Sequence, residues 1–296
     1  MTEATKFHIV ISGRNTLPFL EACLDSAMEQ DYEAENFRVT WLDDASTDGS
    51  LEAAKHLRNK WVQGLRSEYV RLAIRGNEHR EGALFNYVRG ARASAAHEVV
   101  VCLDGDDYLS DPGVLRRLDE EYQKGAWVVY AAFRRSNGGP LFGSGEYTSL
   151  KVRVQEREEH LWSPPVREQT CKIAGLRTFR AALVWHVHDE DLQIGGWWQQ
   201  TAWDNALMLP MLEMAGPSRV TYIPTPLYVY RMHEGNDARQ SAHYQAFCEW
   251  FSRARPSYSR IDRLQDIPTR TPRTTPAKEG MMFVAGEPYA MGVKLR

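Results

Sequence analysis

Three carboxylates fall within four positions in Leu103-Asp104-Gly105-Asp106-Asp107-Tyr108, directly after an apolar run. Side chains this close repel one another unless a cation sits among them. An all-oxygen set suits Mg2+ or Mn2+, ions that keep several waters and also take phosphate oxygens. Such an ion could neutralise a diphosphate leaving group. Asp-Gly is also ordinary turn chemistry, so a solvated acidic turn is the competing reading. A second acidic run, Asp43-Asp44-Ala45-Ser46-Thr47-Asp48, likewise has two uses. One carboxylate could accept the N3–H of a uracil or another base group, while Ser46, Thr47 and above all Asp48 suit the cap of a helix starting near Gly49 to Leu51. A third cluster is His186-Val187-His188-Asp189-Glu190-Asp191. On a strand its two histidines would share one face, as zinc ligands can, but the acidic, turn-like surroundings favour a solvated loop.

The elements around these clusters explain their placement. Phe7 to Ser12, Phe37 to Leu42, Val70 to Ile74 and Val99 to Leu103 are short apolar runs rich in β-branched residues. Between them, Leu17 to Met28, Leu51 to Leu65 and Ala83 to Ala96 read as helices; Leu17, Leu20, Cys23, Leu24, Ala27 and Met28 recur at helical spacing. Strand, helix, strand, helix is the pattern of a parallel sheet flanked by helices. Ligands of such sheets bind outside the carboxyl ends of the strands. Both acidic runs fall at such ends, Asp43/Asp44 after the second strand and Asp104/Asp106/Asp107 after the fourth. That coincidence favours the cation and nucleotide readings over a pair of unrelated turns.

The chain has 296 residues, a net charge of −3, and 43% apolar against 25% charged residues. These values describe an ordinary globular protein with enough chain to bury a core. The near-neutral charge provides no global attraction to nucleic acid or anionic membrane. The apolar run Phe7 to Ile11 is too short for a signal-peptide core, and no stretch of about 18 apolar residues occurs. We expect a soluble, cytoplasmic protein. Cys23, Cys102, Cys171 and Cys248 are scattered with no CxxC pair, which argues for buried thiols, no disulfide framework and no structural zinc.

The second half is less regular. Lys151 to Glu168 is charged and broken by Pro164-Pro165, residues 203 to 215 read as a helix, and Val220 to Ile223 and Leu227 to Tyr230 read as two short strands split by Pro224 and Pro226. From Ser252 onward, nine Lys/Arg face four Asp/Glu, with five of the 14 prolines. We expect a main domain over 1–251, with a nucleotide-binding part at about 7–135 and an acceptor-side part at about 136–251, followed by an irregular basic C-terminal tail over 252–296.

Several ordered segments carry a family resemblance. Ile9-Val10-Ile11-Ser12-Gly13-Arg14-Asn15, then Leu24 to Tyr32, then Leu42-Asp43-Asp44-Ala45-Ser46-Thr47-Asp48 together resemble the N-terminal signature of family 2 glycosyltransferases, and Leu103 to Asp107 resembles that family's DxD region. The match extends over roughly residues 7 to 235. It implies a GT-A fold, a mainly parallel nucleotide-binding sheet with a smaller acceptor-side region. It also implies that Ser12 and Arg14 line the nucleoside pocket, with Arg14 standing where tyrosine is frequent. Asp44, beside Asp43, matches the carboxylate that contacts the base. Asp106 and Asp107 match the pair that meets ribose and metal, with Asp104 in support.

Further on, Thr201-Ala202-Trp203-Asp204-Asn205 is similar to the family's glutamate-aspartate motif at a helix start, with Trp203 where Glu is common. The resemblance makes Asp204 the general base that deprotonates an acceptor hydroxyl in an inverting displacement, a role worth roughly 10²–10⁴-fold in rate. A helix-dipole carboxylate is the plainer alternative. The paired Trp197 and Trp198 could stack on a sugar face or simply pack. Tyr222 to His233 resembles the segment that closes the site, so Arg231 and His233 are candidates for diphosphate or metal contact. Gln30, Arg75, Asn77 and Arg80 are further donor-side candidates, Arg80 foremost because guanidinium groups bind phosphate well. The stretch around Arg177 resembles some family members without suggesting a task.

The resulting expectation is a transferase that uses a nucleotide-sugar donor, UDP-sugars favoured, with Mn2+ or Mg2+ and an acceptor left unnamed. Two alternatives stay open: a nucleotidyltransferase, for which Gly13-Arg14-Asn15 is a short loop, and a non-catalytic carbohydrate- or nucleic-acid-binding module using the basic tail.

Overall fold

The strand-and-helix alternation read from the first half is realised in the computed structural model, which describes residues 3–64, 71–138, 166–168, 175–235 and 242–264. Strands β1 (Phe7–Gly13), β2 (Phe37–Asp43), β3 (Leu72–Gly76) and β4 (Val99–Asp104) pair in parallel, in the order β3-β2-β1-β4. Helices α1 (Leu20–Met28), α2 (Ser50–Gln63) and α3 (Ala83–Arg92) connect them. After β4 come β5 (Tyr108–Leu109), α4 (Val114–Gln123) and β6 (Val128–Arg135).

Beyond β6 lie β7 (Leu176–Arg180), two four-residue helices α5 (Ala182–Trp185) and α6 (Asp189–Leu192), the two-stranded hairpin β8 (Gln193–Ile194) and β9 (Trp197–Trp198), helix α7 (Trp203–Ala215), strand β10 (Val220–Tyr230) and helix α8 (Ala242–Ala254). One eight-stranded sheet runs β3-β2-β1-β4-β7-β6-β10-β5. Strand β7 is antiparallel to both neighbours, β4 and β6, so the sheet is mixed at that seam and parallel elsewhere apart from the short β5. The parallel pattern expected from the first half could not show this, because β7 comes from a segment after residue 175.

Alternation along the strands divides the core between the two faces. Val10, Val100 and Cys102 pack with Leu84, Tyr87 and Leu207 on one side. Ile9, Ile11, Val101 and Leu103 pack with Leu20, Leu24 and Leu115 on the other. Every residue of β1 is buried, which explains why its sequence is mostly apolar rather than alternating; the buried His8 is satisfied by Ser94 and Thr40.

Three expectations change. Val220–Tyr230 is one strand, with its register against β6 interrupted between Ile223 and Tyr228. Pro224 and Pro226 have no N–H for the ladder there, so the pairing is irregular across them without the strand ending. His186 is buried at the end of α5 rather than in a solvated loop, and Asp191 is buried with it, held by Arg255 and Tyr258. The compositional boundary at 251 falls inside α8, and the chain beyond that helix still packs on the body: Tyr258 Oη bonds Asp191, and Ile261 N donates to the Met214 carbonyl. The rest of the basic tail, from residue 265, lies outside the described residues, as does Cys171. Cys23, Cys102 and Cys248 are free, buried thiols. No helix among the described residues is long and apolar enough to cross a membrane.

Candidate active site

The ends of β1, β2 and β4 meet because their registers place Gly13 beside Asp43 and Ser12 beside Asp104. The turn after β4 folds back on β1: Gly105 N donates to Ser12 O at 2.8 Å. A Cβ on Gly105 would lie 2.7 Å from Gly13 Cα and 3.0 Å from Ser12 O, both backbone atoms. Two glycines therefore let the acidic turn sit directly on the strand that opens the site.

The second acidic turn is held by its own side chains. Asp44 accepts from Asn77 Nδ2 at 3.0 Å and Glu81 N at 2.8 Å through Oδ1, and from Gly82 N at 2.9 Å through Oδ2. Asp43 accepts from Ser46 N through Oδ2, while its Oδ1 is buried with no hydrogen-bond partner among the described residues. Arg14 Nη1 donates to the carbonyls of Asp44 and Ala45 at 2.8 and 2.9 Å, pinning this turn to the one after β1. Asn86, buried at the start of α3, donates to Ser12 Oγ at 3.1 Å. Asp48 stands one residue before the N-cap Gly49 of α2; its carboxylate accepts from Ser50 N and, from across the turn, from Leu17 N. Asn15, Ala45 and Ala202 are the non-glycine residues with positive φ among those described, at 52°, 55° and 51°. All three sit in turns of this site, where such backbone strain is commonly stored.

The carboxylates after β4 face different ways. Asp104 accepts from Tyr87 Oη at 2.7 Å, Tyr228 Oη at 2.9 Å and Arg177 Nη2 at 3.0 Å. Asp107 is 1% exposed and turned inward, taking Arg231 N at 2.7 Å on one oxygen and Tyr228 Oη at 2.5 Å on the other. Asp106 is about a quarter exposed and meets His233 Nε2 at 2.9 Å. His233 lies over Phe19, ring centroids 4.6 Å apart. Burial, then the charges of Asp106 and Asp104, push the Asp107 carboxyl well above the usual range. Burial and then Asp104 raise Asp106, with His233 opposing. In both, burial is the larger cause and the neighbouring carboxylates the smaller.

Asp204 begins α7. Its Oδ1 accepts its neighbour's N–H, Asn205 N, at 2.9 Å, and its Oδ2 lies 3.8 Å from Arg177 Nη1. Burial raises its pKa and Arg177 counteracts that. Arg177 thus reaches Asp104 and Asp204 together, stacked 4.1 Å over the Trp203 ring, which itself lies 4.2 Å from Tyr87.

Of the residues proposed from sequence, Ser12, Arg14, Asp43 and Asp44 share one wall of the site, and Asp104, Asp106, Asp107, Arg231 and His233 share another. Three are redirected by their contacts. Asp44, expected at the base, has both oxygens occupied in holding the 77–82 segment. Asp107, expected at the metal, is sealed behind Tyr228. Gln30, expected near the donor, spends its amide on Ser26 O, Asp111 O and Leu115 N, inside the fold. Among the described residues, no group of three His, Cys, Asp or Glu forms a ready-made cation site. Arg75, in β3, and Arg80, on the segment leading to α3, are exposed. Trp197 is exposed, whereas Trp198 packs edge-on to Phe85 at 5.4 Å. Tyr87, Tyr228 and Arg177 carry site contacts that the sequence did not assign. Neither tyrosine stands in a motif that names its partner, and only the position of β7 reveals Arg177.

The chain is similar to known proteins. The family model for Glycosyl transferase family 2 matches residues 8–182. The chain is 30% identical over 133 residues to a Poly(ribitol-phosphate) beta-glucosyltransferase of Bacillus spizizenii, covering 45% of this chain and 20% of that one. It is 28% identical over 105 residues to the Poly(ribitol-phosphate) beta-N-acetylglucosaminyltransferase TarS of Staphylococcus aureus, covering 36% of this chain and 17% of that one. The chain therefore spans only a small part of the length of these curated relatives. Among solved structures, TarS residues 1–349 in complex with UDP-GlcNAc superposes with a TM-score of 0.56 at 18% identity, over 78% of this chain and 60% of that one. The mannosyltransferase PcManGT of Pyrobaculum calidifontis, in complex with GDP-Man and Mn2+, gives 0.57 at 19% identity, over 81% and 60%. The two structures share the GT-A fold expected for this sheet, and with the family matched over more than half its length, the chain belongs to glycosyl transferase family 2.

Proposed function

We propose that this glycosyltransferase moves a sugar, with inversion at the anomeric carbon, from a nucleoside-diphosphate sugar to an acceptor hydroxyl. The observation that carries this reading is Arg177, which ties the acidic turn after β4 to Asp204 at the start of α7. One guanidinium thereby bridges the carboxylates this reading assigns to the donor and acceptor sides. UDP-sugars are the favoured donors, since the TarS complex holds UDP-GlcNAc; PcManGT, with GDP-Man, keeps GDP-sugars in the comparison.

In this reading the nucleoside lies along Ser12 and the Arg14-braced turn, which the buried Asp43 and Asp44 carboxylates shape from within. Asp106 and His233 fit a divalent cation, Mn2+ or Mg2+: an oxygen and an imidazole nitrogen already in contact, both partly exposed, beside crowded carboxylates. The ion would offset charge on the diphosphate leaving group. Asp107 holds Arg231 and Tyr228 in place behind that pair, and Arg231 and Arg80 are the guanidinium groups assigned to phosphate. Asp204 takes the proton of the acceptor hydroxyl as its oxygen attacks the anomeric carbon and the bond to the diphosphate oxygen breaks. The acceptor enters from the part after β6, about 136–251.

Thermal shift with UDP-, GDP- and TDP-sugars, with and without Mn2+, tests the donor assignment. Stabilisation by UDP-sugars that grows with Mn2+ is expected; no shift with any nucleotide sugar removes the reading.

A further inference from the structure

Arg177 is a cation in the middle of a sheet, 6% exposed, on a strand paired on both sides. A buried guanidinium is costly unless its geometry is well satisfied, and its Nε has no hydrogen-bond partner among the described residues. Its two terminal nitrogens are divided. Nη2 donates to Asp104 at 3.0 Å, and Nη1 stands 3.8 Å from Asp204 Oδ2. The plane is fixed from one side by the Trp203 ring at 4.1 Å and approached by Tyr228 at 6.0 Å. A group placed only to offset Asp104 would not require this second reach, since Tyr87 and Tyr228 already donate to that carboxylate.

Resting on the reading of Asp204 as the base, we infer that Arg177 is a positioning residue that holds the Asp204 carboxylate ionised and aimed, and ties it to the donor-side Asp104. Trp203 is the platform that sets the guanidinium between the two carboxylates. The charged groups acting on Asp204 are Arg177 from β7, Asp104 from β4 and Glu249 from α8, with the Asn205 N–H on its own helix. Arg177 is the cation in that set. Without it, burial and the two negative neighbours all favour the protonated acid, which cannot accept the acceptor's proton.

The test uses the full chain with UDP-GlcNAc and Mn2+, reading release of UDP to water as acceptor, UDP affinity by calorimetry, and the Asp204 midpoint by 13C NMR of labelled aspartate. The Asp204 signal is assigned by its loss in Asp204→Asn. In Arg177→Met the midpoint and the acid limb of kcat should both move up by about 1 pH unit or more. UDP affinity should stay within about threefold. Arg177→Lys keeps a charge but lacks the planar fork that reaches both carboxylates; it should lose at least about tenfold in kcat with donor KM little changed. An unmoved midpoint in folded Arg177→Met overturns the inference, as does wild-type kcat in Arg177→Lys, which decides the matter if the methionine variant does not fold. Parallel loss of UDP binding and kcat in either variant also overturns it, leaving Arg177 a donor-site support. If Asp204→Asn itself turns over normally, the failure belongs to the base assignment.

Discussion

Replacing Asp107 with asparagine should make the protein more stable while impairing its donor site. Tyr228 Oη lies within hydrogen-bond distance of both Asp107 Oδ2 and Asp104 Oδ2 and shares its single proton between them, so the two oxygens lie no farther apart than those contacts end to end, about 5.4 Å. At an effective dielectric near 20, two unit charges at that distance repel by about 3 kcal/mol. Asp107→Asn removes that repulsion and the desolvation of a 1% exposed carboxylate. Against this, two charge-assisted hydrogen bonds, from Arg231 N and Tyr228 Oη, become neutral ones and weaken by about 1 kcal/mol each. A net gain of about 1–2 kcal/mol remains, or roughly 2–6 °C in Tm at the usual conversion for chains somewhat shorter than this one. The sign has a pH signature. Asp107 has a folded-state pKa raised above its unfolded value, so the native wild type binds the extra proton first as pH falls. Its penalty is full above the folded-state pKa and fades below it. Differential scanning fluorimetry of both proteins in EDTA, followed across a pH series, should show the variant's advantage greatest at the alkaline end and shrinking on acidification. A lower Tm for the variant at the alkaline end, or an advantage that grows on acidification, refutes the reasoning.

Other expectations follow from single contacts. Gly105→Ala places a methyl group 2.7 Å from Gly13 Cα; it should cost about 1–3 kcal/mol in urea unfolding and weaken UDP binding. Burial, then Arg38, lowers the His8 pKa to about 3. The native state resists the proton that the unfolded chain accepts, so His8's contribution is full above about pH 6.5 and is lost towards pH 3, by up to about 1.4 kcal/mol per pH unit. The difference in urea midpoint between wild type and His8→Gln, followed from pH 6.5 to 4.5, should narrow accordingly. Asp106→Ala should abolish the Mn2+ enhancement of UDP binding seen by calorimetry, while metal-free binding stays within a few-fold.

Much of this was legible in local pattern. The β-branched runs and the helices between them located the parallel half, and the placement of Asp43/Asp44 and Asp104 to Asp107 at strand ends marked the site's edge. Trp203–Ala215 matches the helix read over 203 to 215. What was not legible depends on long-range pairing. Nothing local in Leu176–Arg180 says that it inserts antiparallel between β4 and β6, and only that insertion brings Arg177 to Asp104, 73 positions away. Neither Tyr87 nor Tyr228 stands in a motif that names its partner; their hydroxyls matter only once the fold carries them to Asp104 and Asp107. Division of labour within an acidic run is equally hidden. Asp43 differs from Asp44, and Asp106 from Asp107, through partners supplied by other segments.

The central claim is that Asp204 serves as the base of a nucleotide-sugar transfer. Its most direct test is release of UDP from UDP-GlcNAc in Mn2+ by wild type and Asp204→Asn, with UDP affinity measured on both. The account predicts a fall in turnover of about 10²–10⁴-fold with affinity preserved. Wild-type turnover in Asp204→Asn, or loss of UDP binding together with turnover, contradicts it.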